Sequence, residues 1–409
     1  QSEIPPEMSV PRSKPEYFDA RKVFFDIEVF PNLFLVCWKY EGKNSPVVSM
    51  VNPAPKDIEP LLRTKLVGFN NRRYDNHMLY AAYLGYTNKD LYNLSKKLIS
   101  GNGGFFGEAY NLAYTDIYCF SAVKMSLKLH QIRLGIFHLE LGLDWDQPVP
   151  EHMWPKVIEY CSNDVVSEED VFNDLEGDFK ARQILAELSG LTVGHTTNQH
   201  TTKIVFGDNR KPQDEFVYTD LSEMFPGYVY SFGKSTYRGE ETGEGGYVYS
   251  EPGMYQNVAV LDIESMHPTS IKNLNMFGPY TDSFYDLVRA RLAIKHEDFE
   301  AASKMLGGEL APYLKDKAQA KALSYALKIV INSVYGLTSA KFDNAFRDIR
   351  NKDNIVAKRG ALFMIDLKHA VQEQGFQVIH IKTDSIKIPN ATPDIIRFVQ
   401  DFGKKYGYN

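Results

Sequence analysis

A multidomain α/β fold is predicted by three features of the sequence. The chain has 409 residues, more than one hydrophobic core ordinarily serves. Strand-like and helix-like segments interleave from residue 21 to about 180, and again from about residue 257. Inside that second region, residues 284–304 and 313–334 read as two helices around "LGGELAP", a helical hairpin.

The elements follow in order. Residues 1–20, rich in proline and polar side chains, are expected to be an extended lead-in. "KVFFDIEVF" and "LFLVCWKY" read as strands around a turn at Pro31-Asn32. "KLVGFNN" gives another strand, with a helix from about Asn76, and "YTDIYCF" is again strand-like. "WPKVIEYCSNDVVSEEDVFNDL" is a helix with Pro155 near its start, where the missing N–H is not needed. These make a first domain, 21–182. A connecting segment, 183–256, follows, and its Gly-rich, acidic "STYRGEETGEGGYVYSEPG" suggests a flexible link. "NVAVLDIESM" opens the second α/β region, 257–283 and 335–409, into which the hairpin, 284–334, is inserted. Read as one strand, "HIKTDSIKI" puts His380, Lys382, Asp384 and Ile386 on one side, so that Lys382 stands beside Asp384.

Composition narrows the function. The net charge of −6 gives no global basic signature for nucleic acid, although a large enzyme needs only a basic channel. Three scattered cysteines make neither a disulfide framework nor a zinc site, and suit a reducing compartment. No apolar run is long enough for a membrane span, and no signal peptide is expected.

Several polar residues stand where packing alone does not explain them. Asp262 ends what reads as a buried strand before a turn and a helix, a place where backbone N–H groups can hold phosphate and a carboxylate its magnesium. Many strands end in Asp, so this residue alone decides nothing. On the hairpin, Arg291 and Lys295 share one helix face, and Lys321, Lys328, Asn332 and Tyr335 share another. A solvated face would explain the first pair. It fits Asn332 and Tyr335 less well, because they sit in the apolar "KIVINSVYGLTSA" and polar groups there need partners. In the first domain, Asp26 and Glu28 face the same way on one strand. Two buried acids so placed repel unless a cation lies between them. Asp75 follows a strand, and Tyr160 and Asp164 lie four apart on a helix, facing together. Asp116 reads as structural. Lys124, Lys128, His130 and Arg133 read as a solvated face more than as a single-strand contact.

In this order, "FFDIEVF", "NNRRYDN", "EYCSND", "DIESMHPTSI", "KIVINSVYG" and "KTDS" resemble the exonuclease and polymerase motifs of family B DNA polymerases, particularly bacteriophage ones. The resemblance runs from about residue 22 to 405. It implies an RNase H-like exonuclease domain (21–182), an α/β palm (257–283 and 335–409) and helical-hairpin fingers (284–334). It implies DNA-templated DNA synthesis with 3′→5′ proofreading, by two-metal phosphoryl transfer at each of two sites. Asp262 and Asp384 would hold two magnesium ions, one activating the primer 3′-hydroxyl and one steadying pyrophosphate. Asp26, Glu28, Asp75 and Asp164 would hold two more, with Tyr160 orienting the attacking water. Manganese is the expected substitute. Arg291, Lys295, Lys328 and Asn332 would grip the incoming deoxynucleoside triphosphate, Ser265 and Met266 would touch it through backbone groups, His267 would pack under its sugar, and Tyr335 would belong to the same nucleotide site. Asn71 would contact the frayed strand, and Lys382 the primer phosphates.

The chain departs from the family pattern in several places. His267 replaces the usual Tyr, which bears on ribose exclusion. Lys382 replaces the first Asp of the third motif. Gly243 stands where a Tyr normally precedes the glycine pair, here Gly245-Gly246. The family's thumb lies further beyond the third motif than the 25 residues that follow Asp384 here, so within this sequence the thumb is expected to be absent or truncated, or to lie outside it. The implied partners are primer–template DNA, deoxynucleoside triphosphates and a replisome or processivity factor, with no membrane. The implied location is the cytoplasm, the host's if the chain is phage-encoded. Two rival readings stay open: an exonuclease whose polymerase half mainly binds DNA, and an inactive structural subunit of a replisome. The second would call for lost carboxylates, and all six expected ones are present.

Overall fold

Both alternating faces of the first strand are apolar, which calls for a sheet covered on both sides. The computed structural model describes residues 21–409, so the expected lead-in, 1–20, lies outside the described residues. Lys22–Phe30 (β1) pairs antiparallel with Leu33–Tyr40 (β2), which pairs with Val48–Val51 (β3). On its other side β1 runs parallel to Lys65–Gly68 (β4), itself parallel to Tyr114–Asp116 (β5), giving the order β3-β2-β1-β4-β5. Val23, Phe25, Ile27 and Val29 pack with residues of Asp75–Tyr83 (α1) and Asn88–Ser100 (α2). The other face packs beneath Leu127–Leu134 (α3) and Trp154–Asp174 (α4), where Phe24 and Phe30 share a core with Val157, Cys161 and Val165. A fully buried Phe or Val contributes about 1.5–3 kcal/mol, so these two layers fix which residue of β1 faces which helix. Glu176–Ser189 (α5) follows and spans position 182.

The strand expected in "YTDIYCF" stops at Asp116. That carboxylate then caps a short helix, Ile117–Phe120, by accepting from the Cys119 N–H.

The chain divides into two compact units, the first ending at His200 and the second running Thr201–Asn409. In the second, the stretch expected to be a flexible link is ordered. Val229–Ser231 (β6), Lys234–Tyr237 (β7) and Glu240–Thr242 (β8) form a three-stranded antiparallel sheet. Its inward side chains give the reason: Tyr237 is buried and donates to Asp366 at 2.8 Å, and Ser235 and Thr242 are buried beside it. Val248–Ser250 (β9) and Ala259–Asp262 (β10) then enter a four-stranded sheet. The next elements are Met266–Asn273 (α6), Thr281–Lys295 (α7), Lys317–Ser339 (α8), Ile355–Glu373 (α9), His380–Lys382 (β11), Ser385–Ile388 (β12) and Pro393–Lys405 (α10). The sheet order is β10-β12-β11-β9, antiparallel throughout. Aromatic residues build much of the second core: Phe206 packs on Phe216, Phe277, Tyr280 and Phe346.

The hairpin helices differ from expectation at their ends. α7 stops at Lys295, because Glu297 turns left-handed (φ 57°) and Asp298 caps a separate short helix, Phe299–Ser303. α8 starts behind Asp316, whose carboxylate accepts from the Gln319 N–H at 2.8 Å, and continues to Ser339.

Candidate functional site

In the first unit β1 carries Asp26 and Glu28 on the face shared with Phe24 and Phe30, toward α4. α4 brings Tyr160 and Asp164, and α1 begins at Asp75. These residues line one cleft of about 790 Å³. The loop that delivers Asp75 is held by Asp116, whose carboxylate accepts from the backbone N–H of Asn70 (2.9 Å) and Arg72 (3.0 Å). Asp116 is thus structural, as its sequence context indicated.

Burial sets the charge of this cleft. The Asp26 carboxyl is pushed well above the usual range by desolvation, then by Glu28, Asp75 and Asp164. Glu28 is raised likewise, by desolvation and then by Asp164 and Asp75. Desolvation lifts Asp75 to about 7 and Asp164 to about 6, the latter opposed by the Gln131 amide, which donates to it at 3.2 Å, and by Lys128. Glu28 Oε2 is buried with no partner. Oxygen donors, crowded negative charge and an unmet acceptor together fit hard divalent cations such as magnesium or manganese.

Glu168 of this cleft, and Gln131, bonded to Asp164, escaped the sequence reading. Glu168 lies one turn beyond Asp164, is buried, and is pushed up by desolvation and by Asp26, Asp75 and Asp164. The four-residue spacing that singled out Tyr160 and Asp164 also puts Glu168 on that face, so the signal was there. Gln131 comes from α3 and had none.

Asn71, expected to touch a frayed strand, is fully buried and donates to Asn76 Oδ1 at 3.0 Å. The left-handed backbone at Asn70 (φ 58°) precedes this turn of the chain. Lys124 is tied to the Tyr118 and Cys119 carbonyls, Lys128 pairs with Glu140 at 2.5 Å, and Arg133 pairs with Asp174.

In the second unit Asp262 closes β10 and Asp384 lies in the turn between β11 and β12. The register pairs Asp262 with Ser385, and the Ile263 N–H donates to the Asp384 carbonyl at 2.8 Å, so the two acids share one end of the sheet. Two expectations are corrected here. β10 is an edge strand, half-buried at best, and Asp262 and Asp384 are exposed. And "HIKTDSIKI" is not one strand: Thr383 adopts φ 56° in a two-residue turn, and Lys382 pairs across it with Ser385. A reversal breaks the period of two, so Lys382 and Asp384 are not neighbours on one strand face. Gly246 lies against this turn, where a Cβ would meet Thr383 Cγ2 at 2.6 Å and Thr383 Cα at 2.9 Å.

α6 begins at Met266, after Ser265 in the left-handed region (φ 52°). Met266 is buried against Gly360 of α9, where a Cβ would meet its Sδ at 2.6 Å. His267 lies flat on Tyr335, with ring centroids 4.0 Å apart and an interplanar angle of 3°. Its Nδ1 is buried without a partner, and desolvation lowers its pKa against the pull of Asp384. Arg291 and Lys295 of α7 and Lys328 of α8 line one cleft of about 440 Å³ with Lys317 and Lys321. Asn332 and Tyr335 continue that side of α8 one and two turns on. Lys317 was not singled out by sequence, and it pairs with Glu297 at 3.3 Å.

No protein-family model matches the chain. The chain is 33% identical over 158 residues to DNA polymerase II of Escherichia coli (strain K12), an alignment covering 34% of this chain and 19% of that protein. Its fold is similar to that of the family B DNA polymerase from the hyperthermophilic archaeon Pyrobaculum calidifontis, with a TM-score of 0.51 and 16% sequence identity, covering 95% of this chain and 56% of that one. The chain thus has the fold of a family B DNA polymerase and is distantly homologous, over part of its length, to a bacterial DNA polymerase. It spans little more than half the length of the archaeal polymerase, and the sequence match covers about a fifth of the bacterial one. Among the described residues, no helix is long and apolar enough to cross a membrane.

Proposed function

We propose that the chain is a DNA-templated DNA polymerase of bacteriophage type with a 3′→5′ proofreading exonuclease, each activity using its own set of carboxylates. The observation that carries the polymerase reading is the β10–β12 register, which sets Asp262 and Asp384 at one sheet end. In this reading Asp262 and Asp384 hold divalent cations, and Arg291, Lys295 and Lys328 bind the triphosphate of a deoxynucleotide. Asn332, with Ser265 and Met266 through their backbone groups, completes that contact, and the sugar rests on the flat His267–Tyr335 pair. Lys382 is kept as a contact to primer phosphates.

The proofreading reading is supported by the four clustered carboxylates of the first unit, three of them buried and Asp26 half-buried, and by Tyr160, which borders them. Asp26, Glu28, Asp75 and Asp164 would hold magnesium or manganese, and Tyr160 Oη would orient a water. Such ions, when bound, supply charge stabilisation to the attacking and leaving oxygens of phosphoryl transfer. The chain's own part is to gather the acids, exclude bulk water from them and align the scissile phosphate. Glu168 extends the acidic wall of that cleft. Partners are primer–template DNA and, in replication, a processivity factor. The proposed domain limits are 21–182 for the exonuclease, 183–256 for the connection, 257–283 and 335–409 for the palm, and 284–334 for the fingers.

Primer extension and single-strand degradation, measured on one preparation in magnesium, test the proposal. Both activities are expected. Degradation without extension would instead favour a nuclease whose second unit only binds DNA, and neither activity would favour a structural subunit.

A further inference from the structure

Cys161 stands among the acids of the first unit. It follows Tyr160 on α4 and is fully buried. Its Sγ lies 3.5 Å from the Asp26 carbonyl oxygen and 3.8 Å from Asp26 Oδ2. One donor atom each from Asp26, Glu28 and Cys161 falls within 4.8 Å of the other two. A second observation points to a ligand at the same spot: Glu28, 4% exposed, keeps Oε2 buried and unpartnered. Cys37, the cross-strand partner of Asp26, is buried nearby, and its thiol interacts with that of Cys161.

Sulfur is a poor ligand for magnesium, which takes oxygen in near-octahedral geometry. Two carboxylates and one thiolate, with an open fourth position, are instead a donor set for a thiophilic divalent cation. We propose that Asp26, Glu28 and Cys161 form a mixed carboxylate–thiolate site for zinc or cadmium. The inference rests on the reading of Asp26 and Glu28 as cation ligands and adds a third donor of different chemistry. On binding, the Cys161 thiol releases its proton to solvent and the sulfur donates a lone pair to the metal, with no change of oxidation state. The cation occupies oxygens that magnesium would need, so zinc competes with magnesium in the first unit and leaves Asp262 and Asp384 of the second untouched. The spacing of the cysteines along the sequence gives no sign of this site, because its three donors come from one strand and one distant helix.

Cadmium titration of the full, metal-free chain tests the site, read by the ultraviolet thiolate-to-cadmium charge-transfer band. A Cys119→Ser background removes the third thiol. In that background the band is expected to grow and saturate at one cadmium per chain. Adding Cys161→Ser should abolish the band and weaken cadmium binding by about 10-fold or more. Asp26→Asn should keep the thiol but weaken binding by a similar factor. No band in the folded Cys119→Ser chain overturns the proposal, and this result needs no further variant to fold. A band undiminished by Cys161→Ser also overturns it, since another thiol would then be the ligand. The readout is independent of nuclease activity. A chain that binds cadmium through Cys161 but degrades no DNA keeps this site and loses the proofreading reading, and the reverse outcome separates the two equally well.

Discussion

Asp75 and Asp164 sit buried among other acids, and desolvation holds their carboxyls near 7 and 6. In the unfolded chain both ionise near the ordinary 3.8. The metal-free folded chain therefore keeps protons that the unfolded chain gives up. The contribution of these two acids to stability is greatest at low pH and falls as pH rises from about 4 to about 7. Thermal unfolding in chelator should show the midpoint dropping across that window, and magnesium should restore it at the upper end. Asp26→Ala with Glu28→Ala removes two further carboxyls that burial and the neighbouring acids raise, and should flatten the slope. A double variant with the wild-type slope would mean that the acids do not share one buried site.

Lys382 and Asp384, two apart in sequence, lie on opposite sides of a chain reversal and should respond unequally. Asp384→Asn is expected to cut primer extension by about 100-fold or more, the cost of losing a charge aimed at the reacting groups. Lys382→Ala, removing one phosphate contact, should weaken DNA binding several-fold and lower the salt slope by about one unit. Equal loss in the two folded variants would make the lysine catalytic. The acids themselves were legible because two- and four-residue offsets within β1 and α4 survive folding unchanged. The burial of Asn71 was not legible, since it follows a left-handed Asn70 in a turn that no pattern of polarity reports.

The turn between β11 and β12 shows why strands are harder to read than helices. Its residues alternate in polarity, so a period-two reading runs straight through Thr383 and Asp384. Only the φ of 56° at Thr383 reveals the reversal, and threonine is an uncommon residue there. The hairpin helices were legible in kind, while their ends moved to Lys295 and Lys317, where a left-handed Glu297 and the cap at Asp316 decide. The segment taken for a flexible link became β7, β8 and β9 because tyrosines within it are buried and find acceptors: Tyr237 donates to Asp366, and Tyr247 to Glu240 at 2.5 Å. Gly246 of that link lies against the turn bearing Asp384. Gly246→Ala would place a Cβ 2.9 Å from the Thr383 backbone, which must shift. Displacing a reacting group by about 1 Å can cost about 100-fold in rate. Gly246→Ala should therefore slow extension by about 10–100-fold while leaving single-strand degradation near wild type. Unaltered extension would mean that the turn tolerates the shift and does not fix Asp384.

The division into two units, each with its own carboxylates, gives the proposal its central claim: synthesis and degradation are chemically independent. The α/β class and the order of the motifs were legible because hydrophobic periodicity and short polar spacings are local. How sheet pairing joins Asp262 to the Asp384 turn was not, since residues more than a hundred apart meet there through hydrogen bonds that leave no trace in side-chain pattern. The most direct measurement is primer extension and single-strand degradation by two folded variants, Asp262→Asn and the double Asp26→Ala, Glu28→Ala. The first should lose extension by about 100-fold or more and keep degradation, and the second should do the reverse. Parallel loss of both activities in either variant would contradict two independent sites.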